Sequence, residues 1–186
     1  MAQALNYGPK KFKRYNHLDL NQLEELLVNN KNKYASLFVV TESVFSMDGD
    51  YPDLNRLVNL KKDHPFILIL DEAHGTGVLG KTGAGLAEET GVQENVDIII
   101  GTFGKALAGM GAYVLTNTSS VIEYLKNKAG EYIYSTFLSP HQVGVALSNI
   151  DILIKADDKR ENLKKTSQWL RNRLAEFIDI DTRFHT

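Results

Sequence analysis

Two stretches of the chain carry aliphatic residues with no polar alternation, Phe66-Ile-Leu-Ile-Leu70 and Ile98-Ile-Ile100. An unbroken run of this kind predicts a strand covered on both faces. With Ala35-Ser-Leu-Phe-Val-Val-Thr41 and a shorter run before Thr116, strands are expected at 35–41, 66–70, 97–101 and 111–115. Between them the hydrophobic period lengthens to that of a helix. Asp19-Leu-Asn-Gln22 has the capping-box pattern, and Leu20, Leu23, Leu26 and Leu27 follow at helical spacing, which predicts a helix to about Asn30. Leu54, Leu57, Val58 and Leu60 predict a second helix that starts at Pro52 and ends before His64-Pro65. Ser119 or Ser120 caps a third, which bears Val121, Ile122 and Leu125 and stops at Gly130. Tyr132-Ile-Tyr-Ser-Thr136 is a short β-prone stretch. Ser139-Pro-His-Gln142 is a second capping box with proline at the first helical position, opening a long helix through Val143, Leu147, Ile150 and Ile154. A last helix, over about 160–178, turns Leu163, Leu170, Leu174 and Phe177 toward a core. Strands alternating with helices predict an α/β fold, a mainly parallel sheet flanked by helices.

Composition narrows the class. The 186 residues are 43% hydrophobic and 24% charged, an ordinary globular balance that suits one domain. A net charge of −2 with both signs interspersed argues against nucleic acid or an anionic membrane as partner. The absence of cysteine excludes a disulfide framework and a thiolate metal site, and no stretch approaches the length of a membrane span. A soluble, unprocessed, cytoplasmic protein is expected. Lys10, Lys11, Lys13 and Arg14 mark the first sixteen residues as a solvated lead-in.

Candidate chemistry lies where the aliphatic runs end. One run leads into Asp71-Glu-Ala-His74, and another into Gly101-Thr-Phe-Gly-Lys105. In open α/β sheets ligands collect at the carboxyl ends of strands, so Asp71, His74 and Lys105 can converge on one ligand. Lys105 is the only lysine between Lys81 and Lys126, and its neighbours are small or apolar. Partial desolvation would lower its pKa and free the amine to form a Schiff base. An aldehyde cofactor suits such a lysine: pyridoxal phosphate needs an imine-forming amine and a carboxylate beside its pyridine nitrogen, for which Asp71 is the candidate. The polar loop Glu42 to Asp50 leaves another strand end and is placed to contribute.

Two motifs point elsewhere. Gly75-Thr-Gly-Val-Leu-Gly-Lys-Thr82 fits the phosphate-loop pattern and Asp71-Glu-Ala-His74 a magnesium-binding box, which together spell an NTPase. The order is wrong, because the acid and the loop share one strand, and Gly-Ala-Gly-Leu makes a poor first helical turn. Gly75-x-Gly-x-x-Gly80 also fits a dinucleotide fingerprint but lacks the helix that should follow. The plainer account of these glycines is a tight loop needing positive φ. His17, His64, His141 and His185 form no pair with metal-ligand spacing, so no metal is expected.

Thr41-Glu-Ser-Val-Phe-Ser-Met-Asp-Gly-Asp50, Leu70-Asp-Glu-Ala-His-Gly-Thr-Gly-Val78, Gly101-Thr-Phe-Gly-Lys-Ala106 and Tyr134-Ser-Thr136, in this order, resemble the α-oxoamine synthases. These are fold-type I pyridoxal-phosphate transferases that condense an amino acid with an acyl-CoA and release carbon dioxide. The resemblance implies that Lys105 is the Schiff-base lysine, Asp71 the partner of the pyridine nitrogen and His74 a hydrogen-bond donor to the ring's phenolic oxygen. It implies that Ser46 and Thr102 contact the cofactor, with Thr102 at its phosphate. Ser135 and Thr136 would reach the cofactor phosphate of the other subunit in a homodimer, and Glu42 would line the substrate side. The wording Asp71-Glu-Ala-His-Gly-Thr-Gly77 resembles the members that serve biotin synthesis, taking L-alanine and a pimeloyl thioester. It is less like glycine C-acetyltransferase or 5-aminolevulinate synthase, and serine palmitoyltransferase differs mainly at Gly75. Two parts of the family's pattern have no counterpart: the preceding half of the large domain and the C-terminal domain. The chain therefore resembles a central fragment, with residues 1–158 in the cofactor-binding large domain and 159–186 leading into the C-terminal one. A truncated, inactive scaffold remains the non-catalytic alternative.

Overall fold

The computed structural model describes residues 11–180, so most of the expected lead-in, Lys10 included, and His185 lie outside the described residues. Four strands form one sheet in the order β1 (Phe38–Glu42), β2 (Ile67–Asp71), β3 (Ile98–Thr102), β4 (Ala112–Leu115). β1, β2 and β3 are parallel, and β4 returns antiparallel to β3 through the short connection 103–111. The helices are α1 (Leu20–Asn30), α2 (Leu54–Asp63), α3 (Leu86–Glu89), α4 (Ser119–Lys128), α5 (Gly130–Ile133), α6 (Pro140–Ile154) and α7 (Asp157–Leu174), with a 3-10 turn at Gln93–Asn95. None of them is long and apolar enough to cross a membrane.

The core is built from the predicted periodicities. Leu20, Leu23 and Leu27 of α1 and Leu54, Leu57, Val58 and Leu60 of α2 join Val39, Leu68 and Leu70 of the sheet in one buried cluster. Asp97 fixes the start of β3 beside β2: its carboxylate accepts from the Leu68 N–H at 2.6 Å and from the Lys61 ammonium at 2.5 Å. The strands, however, are not sealed on both faces. Leu68 and Leu70 are fully buried while Ile67 and Ile69 are half-buried, and all three isoleucines of β3 are half-buried.

Helix starts follow their caps with instructive exceptions. Ser139 and Gln142 form the complete reciprocal box at the head of α6. At α1 only half forms: Asp19 accepts from the Gln22 N–H at 3.0 Å, but the Gln22 side chain turns to the Asn16 N–H. The Asp19 N–H is already bonded to the Asn16 carbonyl, which leaves Gln22 nothing to cap there. α2 begins after Asp53, whose carboxylate accepts from Arg56 N–H, and not at Pro52. Thr118, not a serine, precedes α4, and its side chain makes no cap hydrogen bond. The β-prone segment at 132–136 ends a short helix and runs on as exposed irregular chain, paired with no strand among the described residues. α7 runs from Asp157 to Leu174, and the expected core contacts of Leu163, Leu170, Leu174 and Phe177 do not occur; all four are exposed. α4 buries no residue and α6 only Ala146.

Candidate active site

The parallel register brings the predicted groups to one edge of the sheet. Glu42, the last residue of β1, lies opposite Asp71, the last of β2, and Asp71 lies opposite Ile100, two residues before the end of β3. Backbone pairing continues past the strands: Ser43 N–H donates to the Asp71 carbonyl at 2.8 Å and Glu72 N–H to the Ile100 carbonyl at 2.7 Å. The connections 43–50, 72–85 and 103–111 therefore leave the same carboxyl edge, and they carry Ser46, His74 and Lys105 respectively. This is the position at which open α/β sheets hold ligands.

Asp71 closes a tight turn, with one carboxylate oxygen accepting from Ala73 N–H at 2.9 Å. Among the described residues its other oxygen has no hydrogen-bond partner, and neither does the half-buried imidazole of His74. Glu72, between them, is fully buried. Its carboxylate accepts from the N–H groups of Leu86 at 3.1 Å and Ala87 at 2.9 Å, satisfying buried donors at the head of α3 that have no partner within the helix. Gly75 and Gly85 make this reach possible, because a Cβ on either would lie 2.1 or 2.2 Å from a Glu72 carboxylate oxygen. Sequence reading took Glu72 only as a letter in a box motif; an acid directly after an aliphatic run, followed by glycines, was the available signal.

Burial pushes the Glu72 carboxyl above its usual 4.5, against the opposing pull of Ala87 N–H, the Ser43 hydroxyl and Leu86 N–H; the Asp71 charge adds to the rise. A carboxyl raised on folding holds its proton more tightly in the folded chain, so its contribution is complete at low pH and is lost as pH climbs through the raised value. Wild type should therefore lose stability relative to Glu72→Gln as pH is raised from about 4 to 8, read by urea unfolding at each pH. A stability difference that stays constant over that range would contradict the assignment.

The phosphate-loop motif is disposed of by its own contacts. Glu89 accepts from Gly80 N–H at 2.8 Å, and Glu88 accepts from Thr82 N–H at 3.0 Å, from the Thr82 hydroxyl at 2.8 Å and from Ala84 N–H at 3.1 Å. Two carboxylates occupy the place where a phosphate loop would cradle an anion. The turn is closed instead by Gly77 N–H to the Gly83 carbonyl, with Gly77, Gly80 and Gly83 all at positive φ, as the plain loop reading expected. The helix that follows is the four-residue α3, too short for a dinucleotide fold.

The Lys105 connection is compact. Thr102 Oγ1 donates to the Gly111 carbonyl and accepts from Gly104 N–H, each at 3.1 Å, while Gly109 N–H closes on the Phe103 carbonyl at 2.7 Å. Ala108 is held at φ 45°, a left-handed conformation unusual outside glycine. This loop touches the preceding one directly: a Cβ on Gly77 would lie 2.5 Å from the Ala106 methyl. From behind, Asn149 of α6 donates to the Leu107 carbonyl at 2.7 Å. The expected desolvation of Lys105 is not found. Leu107 is buried and Phe103 half-buried against the Tyr113 ring, but Lys105, Ala106 and Ala108 are exposed, and among the described residues the ammonium has no partner. Apolar neighbours in sequence exclude water only where they fold over the amine, and here Ala106 and Ala108 are themselves exposed.

The remaining groups are spread. Ser46 is exposed on a loop fixed by His17, which was expected to be unremarkable: its Nε2 sits 2.8 Å from Asp50, and its ring meets Phe45 edge-on at 4.5 Å between centroids. Ser135 and Thr136 are exposed and hydrogen-bond to none of the residues above, although Leu138 beside them packs on Gly111.

With that geometry in place, comparison with known proteins is informative. The family model for aminotransferase class I and II matches residues 1–183. The 8-amino-7-oxononanoate synthase of Chlorobaculum parvum is 46% identical over 176 residues, which are 95% of this chain and 45% of that protein. Among solved structures, 8-amino-7-oxononanoate synthase from Francisella tularensis superposes with a TM-score of 0.82 at 32% identity, covering 96% of this chain and 51% of that one. A lysine-to-alanine variant of serine palmitoyltransferase from S. paucimobilis, solved with a bound PLP–myriocin aldimine, superposes with a TM-score of 0.87 at 29% identity, covering 94% of this chain and 45% of that one. The chain thus spans about half the length of the curated relatives it matches, and its sheet and flanking helices are those of a fold-type I transferase. Matched over almost its whole length, the protein belongs to the aminotransferase class I and II family.

Proposed function

We propose that this chain is the central part of an α-oxoamine synthase, a pyridoxal-phosphate enzyme that joins an amino acid to the acyl group of an acyl-CoA with loss of carbon dioxide. The single observation that carries the reading is the grouping at the sheet's carboxyl edge of a carboxylate, an imidazole and an ammonium. Asp71, His74 and Lys105 each keep a polar atom unpartnered among the described residues. That donor set fits pyridoxal phosphate, which, when bound, supplies an electron sink for charge developing at the amino acid's Cα.

Each residue then has a task. Lys105 Nζ would hold the cofactor through its aldehyde group and would be the base placed to take up the Cα proton. The free oxygen of Asp71 would keep the pyridine nitrogen protonated, and His74 would donate to the phenolic oxygen. Ser46 and Thr102 would contact the cofactor, Thr102 at the phosphate. Glu42 faces the substrate. In a homodimer, Ser135 and Thr136 reach the neighbouring subunit's cofactor phosphate. Residues 1–158 belong to the cofactor-binding large domain and 159–186 lead into the C-terminal one.

L-Alanine and pimeloyl-CoA, giving 8-amino-7-oxononanoate, are the proposed substrates, supported by the identity to the Chlorobaculum parvum protein and by Gly75. Serine palmitoyltransferase structures superpose with TM-scores of 0.79 to 0.87, on either side of the 0.82 for 8-amino-7-oxononanoate synthase, which makes serine and palmitoyl-CoA the second reading. Carbon dioxide release by the full-length enzyme should be fastest with alanine and pimeloyl-CoA. The comparison pairs are glycine with acetyl-CoA, glycine with succinyl-CoA and serine with palmitoyl-CoA. Preference for another pair would overturn the specificity, and release from none would overturn the reaction class.

A further inference from the structure

Glu72 has no part in the chemistry just described, yet it is the most heavily engaged residue of the site. Its backbone N–H extends the sheet pairing to Ile100, and its carbonyl accepts from Gly75 N–H at 3.0 Å, Thr76 N–H at 2.8 Å and the Thr76 hydroxyl at 2.9 Å. Its carboxylate crosses the loop to the head of α3, where Leu86 and Ala87 hold it. The Thr76 hydroxyl meets the Tyr113 hydroxyl of β4 at 3.1 Å, and the Tyr113 ring fills the space that a side chain on Gly101 would need. The turn bearing His74 is therefore tied at both ends to one residue, and that residue is tied to β3, β4 and α3.

We propose that Glu72 is a positioning residue: its buried carboxylate, clasped by Leu86 and Ala87, is the strut that sets the Asp71 carboxylate and the His74 imidazole at their working angles. A buried polar group fully satisfied by hydrogen bonds specifies one arrangement more strongly than apolar contact does. Glycines at 75 and 85 fit the same purpose, since a Cβ on either would collide with this carboxylate. The raised pKa of Glu72 agrees with its enclosure.

The inference rests on the proposed function, and the test separates the two. In the full-length protein without cofactor, the imidazole resonances of His74 should move in Glu72→Ala and return part of the way to wild type in Glu72→Gln, which keeps an acceptor for one of the two N–H groups. Those of His141 should stay unchanged in both. Glu72→Asp, one methylene too short to reach Leu86 and Ala87, should behave like Ala and serves where Ala fails to fold. With pyridoxal phosphate bound, Ala or Asp should shift the cofactor's absorption band and lower kcat by about tenfold to a hundredfold, with a smaller change in KM. A lower Tm with His74 resonances, absorption band and kcat as in wild type would reduce Glu72 to a structural role and overturn the proposal. If wild type itself captured no pyridoxal phosphate, the functional reading would fall while the His74 resonances still decided the role of Glu72.

Discussion

Asp71→Asn should lower turnover of the full-length enzyme by about 10²- to 10³-fold while leaving its thermal stability close to wild type. The substitution isolates charge from shape. Asn keeps the side-chain volume and retains an oxygen to accept from Ala73 N–H, so the turn that begins at Asp71 survives. What it removes is the negative charge on the second oxygen, which the proposed role requires to hold the pyridine nitrogen protonated. A neutral ring withdraws electrons poorly, and the loss should appear in kcat more than in KM. Turnover within a few-fold of wild type would remove Asp71 from this role.

Lys105→Ala should abolish activity altogether, and its rescue by a second inactive subunit tests the proposed sharing of sites. The exposed Ser135 and Thr136 make no hydrogen bond to the Asp71, His74 and Lys105 grouping of their own chain, which is what residues serving a neighbour would show. Mixing Lys105→Ala subunits with Thr136→Val subunits gives heterodimers in which one site has both wild-type contributions. With random exchange, activity should return to about a quarter of wild type, because half the dimers carry one good site of two. No recovery, with exchange verified by mass, would place both residues in the same subunit's site.

Much of this was legible in the sequence because local patterns have local causes. The Ser139 box, the leucine spacing of α1 and α2 and the aliphatic runs at 66–70 and 97–101 each encode an element whose hydrogen bonds or burial follow from a few neighbouring residues. Strand order and the parallel direction then put Asp71, His74 and Lys105 at one edge without further information. What the sequence did not disclose was covering. Periodicity marked the apolar face of α7, but a face is buried only where something packs on it, and Leu163, Leu170, Leu174 and Phe177 stand exposed. The same holds for Lys105, whose small neighbours promised a dry amine that the fold does not supply. Glu72 failed to register for the opposite reason. Its partners, Leu86 and Ala87, are backbone donors with no side-chain pattern of their own, so only its place after an aliphatic run and before the glycines marks it.

The central claim is that Lys105 holds an aldehyde cofactor at the carboxyl edge of the sheet. Reduction of the full-length protein with borohydride in the presence of pyridoxal phosphate, followed by peptide mapping, tests it most directly. The account predicts a stable adduct on Lys105 that disappears in Lys105→Ala; an adduct on Lys81 or Lys126 instead, or none at all, would contradict it.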